Sequence, residues 1–339
     1  MMKKTYPFSA IVGQEEMKKA LLLNIVMPSL GGVLIKGEKG TAKSTAVRAA
    51  AGLLPAMRAV ADCACRCDPA APEFFCDDCR RKAAAGARMK EESVPMRVVE
   101  LPVSATEDRV VGTLDIEAAI RHGRKEFEAG ILAEANRSIL YVDEINLLDD
   151  HIVDILLDSA AMGVNTVERE GISYAHPARF VLVGTMNPEE GDIRPQLLDR
   201  FALSVTVTGE REAKDRIEVV KRRIAYEQDA EGFAASYREQ QEALRERIER
   251  ARSLLKSVAV ADRMLEKAAH ISLALGVDGH RADITLIKAA MANAAFSGRT
   301  EVAKEDMKAV SRPVLAHRLR RRPFEEGEVD WSAVDDILA

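Results

Sequence analysis

Apolar residues in this chain follow two patterns: short solid runs up to about residue 208, and helical spacing beyond it. The first run, "GGVLIKGEKG" (31–40), ends in glycines. The stretch after it, "STAVRAAAGLLP" (44–55), favours a helix until Pro55 stops it. Four further runs of strand length follow, "PMRVVELP" (95–102), "SILYVDE" (138–144), "ARFVLVGTMN" (178–187) and "LSVTVT" (203–208). They are apolar on both faces and alternate with helical stretches, which predicts a buried, largely parallel sheet flanked by helices, an α/β fold. Between Val164 and Ala178 the sequence predicts a β-hairpin turning at Glu170-Gly171. The charged stretch "RRKAAAGARMKEE" (80–92) is expected to be helical.

From Arg211 onward, "EREAKDRIEVVKRRIAYEQ" and "QQEALRERIERARSLLKSV" combine helical spacing with dense charge, and no strand pattern follows. The expected division is an α/β domain over 1–209, a helical linker over 210–250 and an all-helical domain over 251–339. No internal repeat or low-complexity linker interrupts it. The six histidines are scattered, and the basic "HRLRRRP" (317–323) is expected to be a solvated helix end or a subunit contact.

Composition narrows the function classes. With 339 residues, 47% hydrophobic and 30% charged, the chain can build about two ordinary domains. A net charge of −5 and only 4% aromatics argue against a nucleic-acid partner. The start has no apolar leader segment, and no run approaches the roughly 18 apolar residues that a membrane helix needs. The expectation is a cytosolic protein with no membrane partner.

Chemistry concentrates in four places. "GEKGTAKS" (37–44) has the form of a phosphate loop between strand and helix, in which Gly37, Glu38, Lys39, Gly40, Thr41, Ala42, Lys43 and Ser44 would wrap the phosphates of a nucleotide. Lys43 is expected to neutralise the outer phosphates and Ser44 to bind Mg²⁺. Ala42 stands where the usual pattern has a third glycine, and its methyl matters if that position requires a positive φ. About a hundred residues on, "ILYVDE" presents Asp143 and Glu144 at a strand end, suited to holding Mg²⁺ and polarising the attacking water. In "GTMNPEEGDIRPQLLDRF", Asn187 ends the next strand. Arg200 lies where it can reach a neighbour's phosphate, the blander reading being an ion pair with Asp199. In "GHRADI" (279–284), Arg281 opens a helix, where a cation opposes the helix dipole and calls for a compensating role.

All five cysteines fall in "CACRCDPAAPEFFCDDC" (63–79). Two short-spaced pairs across a loop can hold one tetrahedral Zn²⁺, and the favoured set is Cys63, Cys67, Cys76 and Cys79, with Cys65 spare. An iron–sulfur cluster and a redox switch are the other readings.

Taken together, these elements resemble an AAA+ ATPase, and the longer segments "FSAIVGQEEMKKALLLNIVMPSLGGVLIKGEKGTAKSTAVRA", "ILYVDEINLLDDHIVDILLDSAAMGVNTVEREG" and "NPEEGDIRPQLLDRF" resemble the ATPase (I) subunit of magnesium chelatase and its cobalt-chelatase relatives. The resemblance runs over most of residues 6–320. It implies an AAA+ P-loop domain with a parallel central sheet and a C-terminal helical lid. It casts Lys43, Ser44, Asp143 and Glu144 as Walker-type residues, Asn187 as first sensor, Arg200 as arginine finger and Arg281 as second sensor. The hairpin near Glu170 becomes a pre-sensor insertion, and Ile11 and Val12 lie near the adenine. It further implies ATP and Mg²⁺ as cofactors and a homo-oligomeric ring, hexameric by analogy. The implied partners are a D-type subunit with a metal-ion-dependent adhesion domain and a large subunit that inserts Mg or Co into a tetrapyrrole. A MoxR-like remodelling ATPase and a slow regulatory nucleotide-binding module are the rival readings. Ala42 and the cysteine stretch depart from the family's usual wording.

Overall fold

The computed structural model describes residues 5–115, 126–169, 172–319 and 330–339. In chain order the strands are β1 (Val33–Gly37), β2 (Met57–Val60), β3 (Glu91–Val94), β4 (Val98–Leu101), β5 (Gly112–Asp115), β6 (Glu126–Ala129), β7 (Ile139–Val142), β8 (Val164–Arg169), β9 (Ile172–Pro177), β10 (Val181–Met186) and β11 (Leu203–Val207). Five of them form one sheet in the order β11-β1-β10-β7-β4, every pairing parallel. Strands β7 and β10 are buried at every position, which is why their sequences read as solid apolar runs.

Alternate residues of the sheet serve two cores. Val33, Ile35, Val183 and Val205 face the helices Glu15–Val26 and Lys43–Ala51, and Leu34, Leu140 and Leu182 face the helix Asp150–Met162. Each such side chain gains roughly 1.5–3 kcal/mol on burial. Because all five strands run the same way, Gly37, Val142 and Met186 end β1, β7 and β10 at one edge, with Lys36 beside Met186 and Val142 beside Gly184. Whatever follows those three strands meets there.

Beyond β11 the described elements are helices, with the seven-residue Ser332–Leu338 the last. The helices Asp262–Ala274, His280–Phe296 and Lys304–Leu315 contribute Ile271, Leu286 and Val310 to the same core as Val33 and Ile35.

Several expectations need correcting. Residues 80–92 are not one helix: Asp77–Ala84 is helical, Gly86 reverses the chain at φ +70°, and β3 pairs antiparallel with β2. The ribbons β2–β3 and β5–β6 were not expected. The hairpin β8–β9 is present, but its turn at Glu170-Gly171 lies outside the described residues. Of the basic run at 317–323, residues 320–323 also lie outside them, and what is described is not a solvated end. Arg318 is 8% exposed and its guanidinium donates to Asp199 Oδ1 at 3.1 Å and to the carbonyls of Phe201 at 2.6 Å and Ala202 at 3.2 Å. Burial pulls its pKa down to about 10, against the opposing pull of Asp199. Its neighbour His317 also bonds the Phe201 carbonyl, and burial holds the imidazole neutral, with a pKa down to about 3.

Candidate functional site

The loop after β1 is shaped by close approach on one side and open space on the other. A Cβ at Gly37 would stand 2.2 Å from the Val207 carbonyl oxygen of β11, so only glycine lets β1 pass there. A Cβ at Gly40, at φ +85°, would meet nothing within 4 Å. Thr41 Oγ1 donates to the Glu38 carbonyl at 2.8 Å and closes the turn. Ala42 caps the helix Lys43–Ala51 at φ +60°, ψ +17°, in the left-handed region where a methyl group is strained. The first turn of that helix holds no acid, so its positive end is not neutralised from within.

Lys43 Nζ donates to the carbonyls of Gly37 and Glu38, which folds the ammonium into the loop. Burial lowers its pKa, and the nearby Asp143 and Glu144 counter the shift. Lys39, largely exposed, bridges Glu190 at 2.5 Å and Glu144 at 3.6 Å. The loop lysines and the strand-end acids therefore share one locality, as the sheet order requires.

Two hydroxyls that sequence reasoning missed fix Asp143. Tyr141 Oη donates to Asp143 Oδ1 at 2.8 Å, and Thr185 Oγ1 donates to the same oxygen at 2.5 Å. Two donors on one oxygen set the plane of the carboxylate. Burial pushes the Tyr141 hydroxyl pKa up, so it stays a donor. The available signal was a lone threonine in the apolar run "VLVGTM", one strand away from the acids. Glu144 takes φ +53°, turning the chain sharply at the end of β7. Asn187, 6% exposed, accepts from the Glu189 amide at 3.3 Å and caps the short turn Pro188–Glu190.

The two arginines are held elsewhere. Arg200 bonds Asp154 and, at 2.6 Å, Asp158, both on the helix Asp150–Met162, and not Asp199 as the bland reading had it. Asp199 instead receives Arg281 at 2.7 Å as well as Arg318. Ile11 is buried and Val12 half-buried, just after the short turn Phe8–Ala10 that packs on the helix Lys43–Ala51. A cleft of about 480 Å³ opens between Met57, Met96, Ser138 and Val181 at the opposite end of the sheet from the loop.

A second cluster is built from sulfur. The Sγ atoms of Cys63, Cys67, Cys76 and Cys79 all lie within 4.8 Å of one another, and all five cysteines are free thiols. Hydrogen bonds from Cys65 and Cys67 pull the Cys63 pKa down to about 3, while bonds from Cys63 push those of Cys65, Cys67 and Cys79 up. Such a set can hold a metal ion.

Comparison with known proteins agrees with this geometry. The family model described as an AAA domain (dynein-related subfamily) matches residues 85–201, and the AAA lid domain matches 265–337. A magnesium-chelatase subunit ChlI homolog of Methanocaldococcus jannaschii is 53% identical, over 100% of this chain and 92% of its own length. The magnesium-chelatase 38 kDa subunit of Acidiphilium rubrum is 54% identical over 95% of this chain and 93% of its own. A chain from a cryo-EM reconstruction of the complex between the BchI and BchD subunits of magnesium chelatase is 47% identical, with 99% of each chain covered and a TM-score of 0.57. A crystal structure from Cytophaga hutchinsonii, 19% identical with a TM-score of 0.62, shares the fold. This chain is an AAA+ ATPase, and it belongs to the magnesium-chelatase I-subunit family.

Proposed function

We propose that this ATPase powers the insertion of a divalent metal, Mg or Co, into a tetrapyrrole by a separate large subunit, acting in a ring with a D-type partner. The observation that carries the reading is the meeting of the Gly37–Ser44 loop with an Asp143 held by Tyr141 and Thr185. The residues present fit ATP with Mg²⁺. An acid-free helix start and the open side of Gly40 suit the phosphates, and Ser44 with the oriented Asp143 suits the ion. When bound, the nucleotide and its ion supply the scissile anhydride and offset its charge. Lys43 exchanges the loop carbonyls for phosphate oxygens, Glu144 orients water and takes its proton, and Asn187 holds that water's other side.

A ring is supported by two features. Arg200 sits on a partly exposed pair of aspartates from which a neighbouring protomer's phosphate could draw it. Ile217, Val220 and Ile224 also present an exposed apolar stripe along the helix Ala213–Gln228. Six protomers, Arg281 as a lid contact to the γ-phosphate, and Ile11 and Val12 against the adenine complete the assignment. Zn²⁺ belongs, on this reading, to Cys63, Cys67, Cys76 and Cys79 and takes no part in hydrolysis. The free thiols suit a reducing cytoplasm, and among the described residues no helix is long and apolar enough to cross a membrane.

The test is metal insertion into a porphyrin in the presence of the large and D-type subunits. Insertion should require ATP and this chain, and should stop with Glu144→Gln. Insertion that proceeds equally without this chain would contradict the proposal.

A further inference from the structure

The cysteine stretch is fastened to the hairpin β8–β9 along the hairpin's returning side. Cys76 caps the helix Asp77–Ala84, and the two residues after it reach across: Asp77 Oδ2 accepts the Ala175 amide at 3.0 Å, and Asp78 Oδ2 accepts the Tyr174 hydroxyl at 3.2 Å. Phe74, between the cysteine pairs, lies under the Arg179 guanidinium at 3.7 Å. Asn136, 1% exposed, donates to the Cys65 carbonyl at 2.7 Å and accepts the Arg179 amide at 3.0 Å. Tyr174, Ala175 and Arg179 belong to the segment that runs straight into β10, the strand carrying Thr185 and leading to Asn187.

Two of the six sulfur separations match a tetrahedral site, and all lie within 4.8 Å. Metal–sulfur bonds of about 2.3 Å set edges of about 3.8 Å. Cys63 Sγ stands 3.9 Å from Cys76 Sγ and 3.5 Å from Cys79 Sγ. Backbone amides point at the cluster, Cys76 N–H to Cys67 Sγ at 3.2 Å and Cys79 N–H to Cys76 Sγ at 3.5 Å, donors that would offset the charge of metal-bound sulfur. The ribbon β2–β3 frames the knot, with the Val60 amide donating to the Cys67 carbonyl at 2.9 Å. Among the described residues the apolar cluster of the stretch is small, Val60, Phe75, Ala133 and the cysteines themselves with Met89 at its edge, and Arg137 adds a bond to the Arg66 carbonyl at 3.3 Å and an ion pair with Asp68 at 3.0 Å.

We propose that one Zn²⁺ bound by Cys63, Cys67, Cys76 and Cys79 is the clamp that fixes the hairpin β8–β9, through Asp77 and Asp78, onto the body of the ATPase. The inference rests on the zinc assignment above. It adds that the metal, rather than the hairpin's own pairing, sets how firmly the hairpin is held. Cys65 contributes its carbonyl to Asn136 and no ligand.

Elemental analysis of the full chain, prepared anaerobically, should find one zinc per chain, retained by Cys65→Ser and lost by Cys76→Ser. Cobalt in its place should show the visible bands of tetrahedral thiolate coordination. Absence of zinc, or an iron chromophore instead, would overturn the assignment and the clamp with it. Hydrogen exchange then isolates the clamp. In the double variant Asp77→Ala, Tyr174→Phe, zinc should stay bound while amides of 164–169 and 172–176 exchange on the order of tenfold faster. In Cys76→Ser they should exchange at least as fast, while nucleotide binding at the loop persists. Unchanged hairpin exchange with zinc still bound in the double variant would sink the clamp and leave the zinc site standing.

Discussion

The nucleotide locality and the cysteine knot are both built on chain turns held by backbone amides and carbonyls, yet they assemble in different ways. The first gathers residues from 37–44, 143–144 and 185–187 that only the parallel order β1-β10-β7 makes neighbours. The second draws all its thiols from one 17-residue stretch framed by a two-stranded ribbon with little core of its own. The sheet can hold strained positions such as Ala42 and Glu144 because buried strands over-determine them. The knot has a smaller core and is held by polar ties to Asn136, Arg137 and the hairpin, to which the proposed zinc would add.

If the two regions are separable, each can be broken alone. The largest expected effect comes from Lys43→Ala, which should weaken ATP binding by roughly a hundredfold or more, as loss of a partly buried charge contact implies, while zinc content stays at the wild-type level. Equilibrium binding and elemental analysis on one preparation check both halves. A smaller effect is expected of Thr185→Val, which removes one of the two donors on Asp143 Oδ1. Turnover should fall about tenfold, the scale of one hydrogen bond to a charged group, with nucleotide affinity changing far less. Equal loss of affinity and turnover would show that Thr185 supports the fold and not the orientation of Asp143. The smallest is Ala42→Gly. Relief of the left-handed alanine should stabilise the chain by about 1 kcal/mol in urea unfolding, with ATP affinity within about tenfold of wild type. A destabilised variant would mean that the loop does not hold φ near +60° in solution.

How much of this was legible in the sequence follows from the same contrast. The five sheet strands were readable because burial on both faces leaves apolar runs, and the gathering of residues 37–44, Asp143 and Glu144 at one sheet edge because they sit where such runs end. Strands β2 and β3 were not, since "EESV" is mostly exposed and "MRAV" buries only its last two residues, Ala59 and Val60, so neither carries an alternating pattern. Thr185 was missed because its role needs the register of β10 against β7, with Asp143 42 residues away in the chain, whereas Tyr141, two residues before Asp143 and so on the same side of the chain, was within reach. The Arg200 pairing was within reach: Asp154 and Asp158, four apart on a helix, put two carboxylates on one face. Arg318 hid in a basic run whose composition suggests solvent, although its guanidinium in fact closes the junction between β11 and the last helices.

The central claim is that a glutamate at the end of β7 does the chemistry on a nucleotide that the loop holds without it. ATP turnover by Glu144→Gln, with bound nucleotide counted in the same sample, tests it most directly. The account predicts turnover reduced by a hundredfold or more, in the range expected when a general base is removed, with wild-type ATP occupancy. Equal turnover by variant and wild type would contradict it.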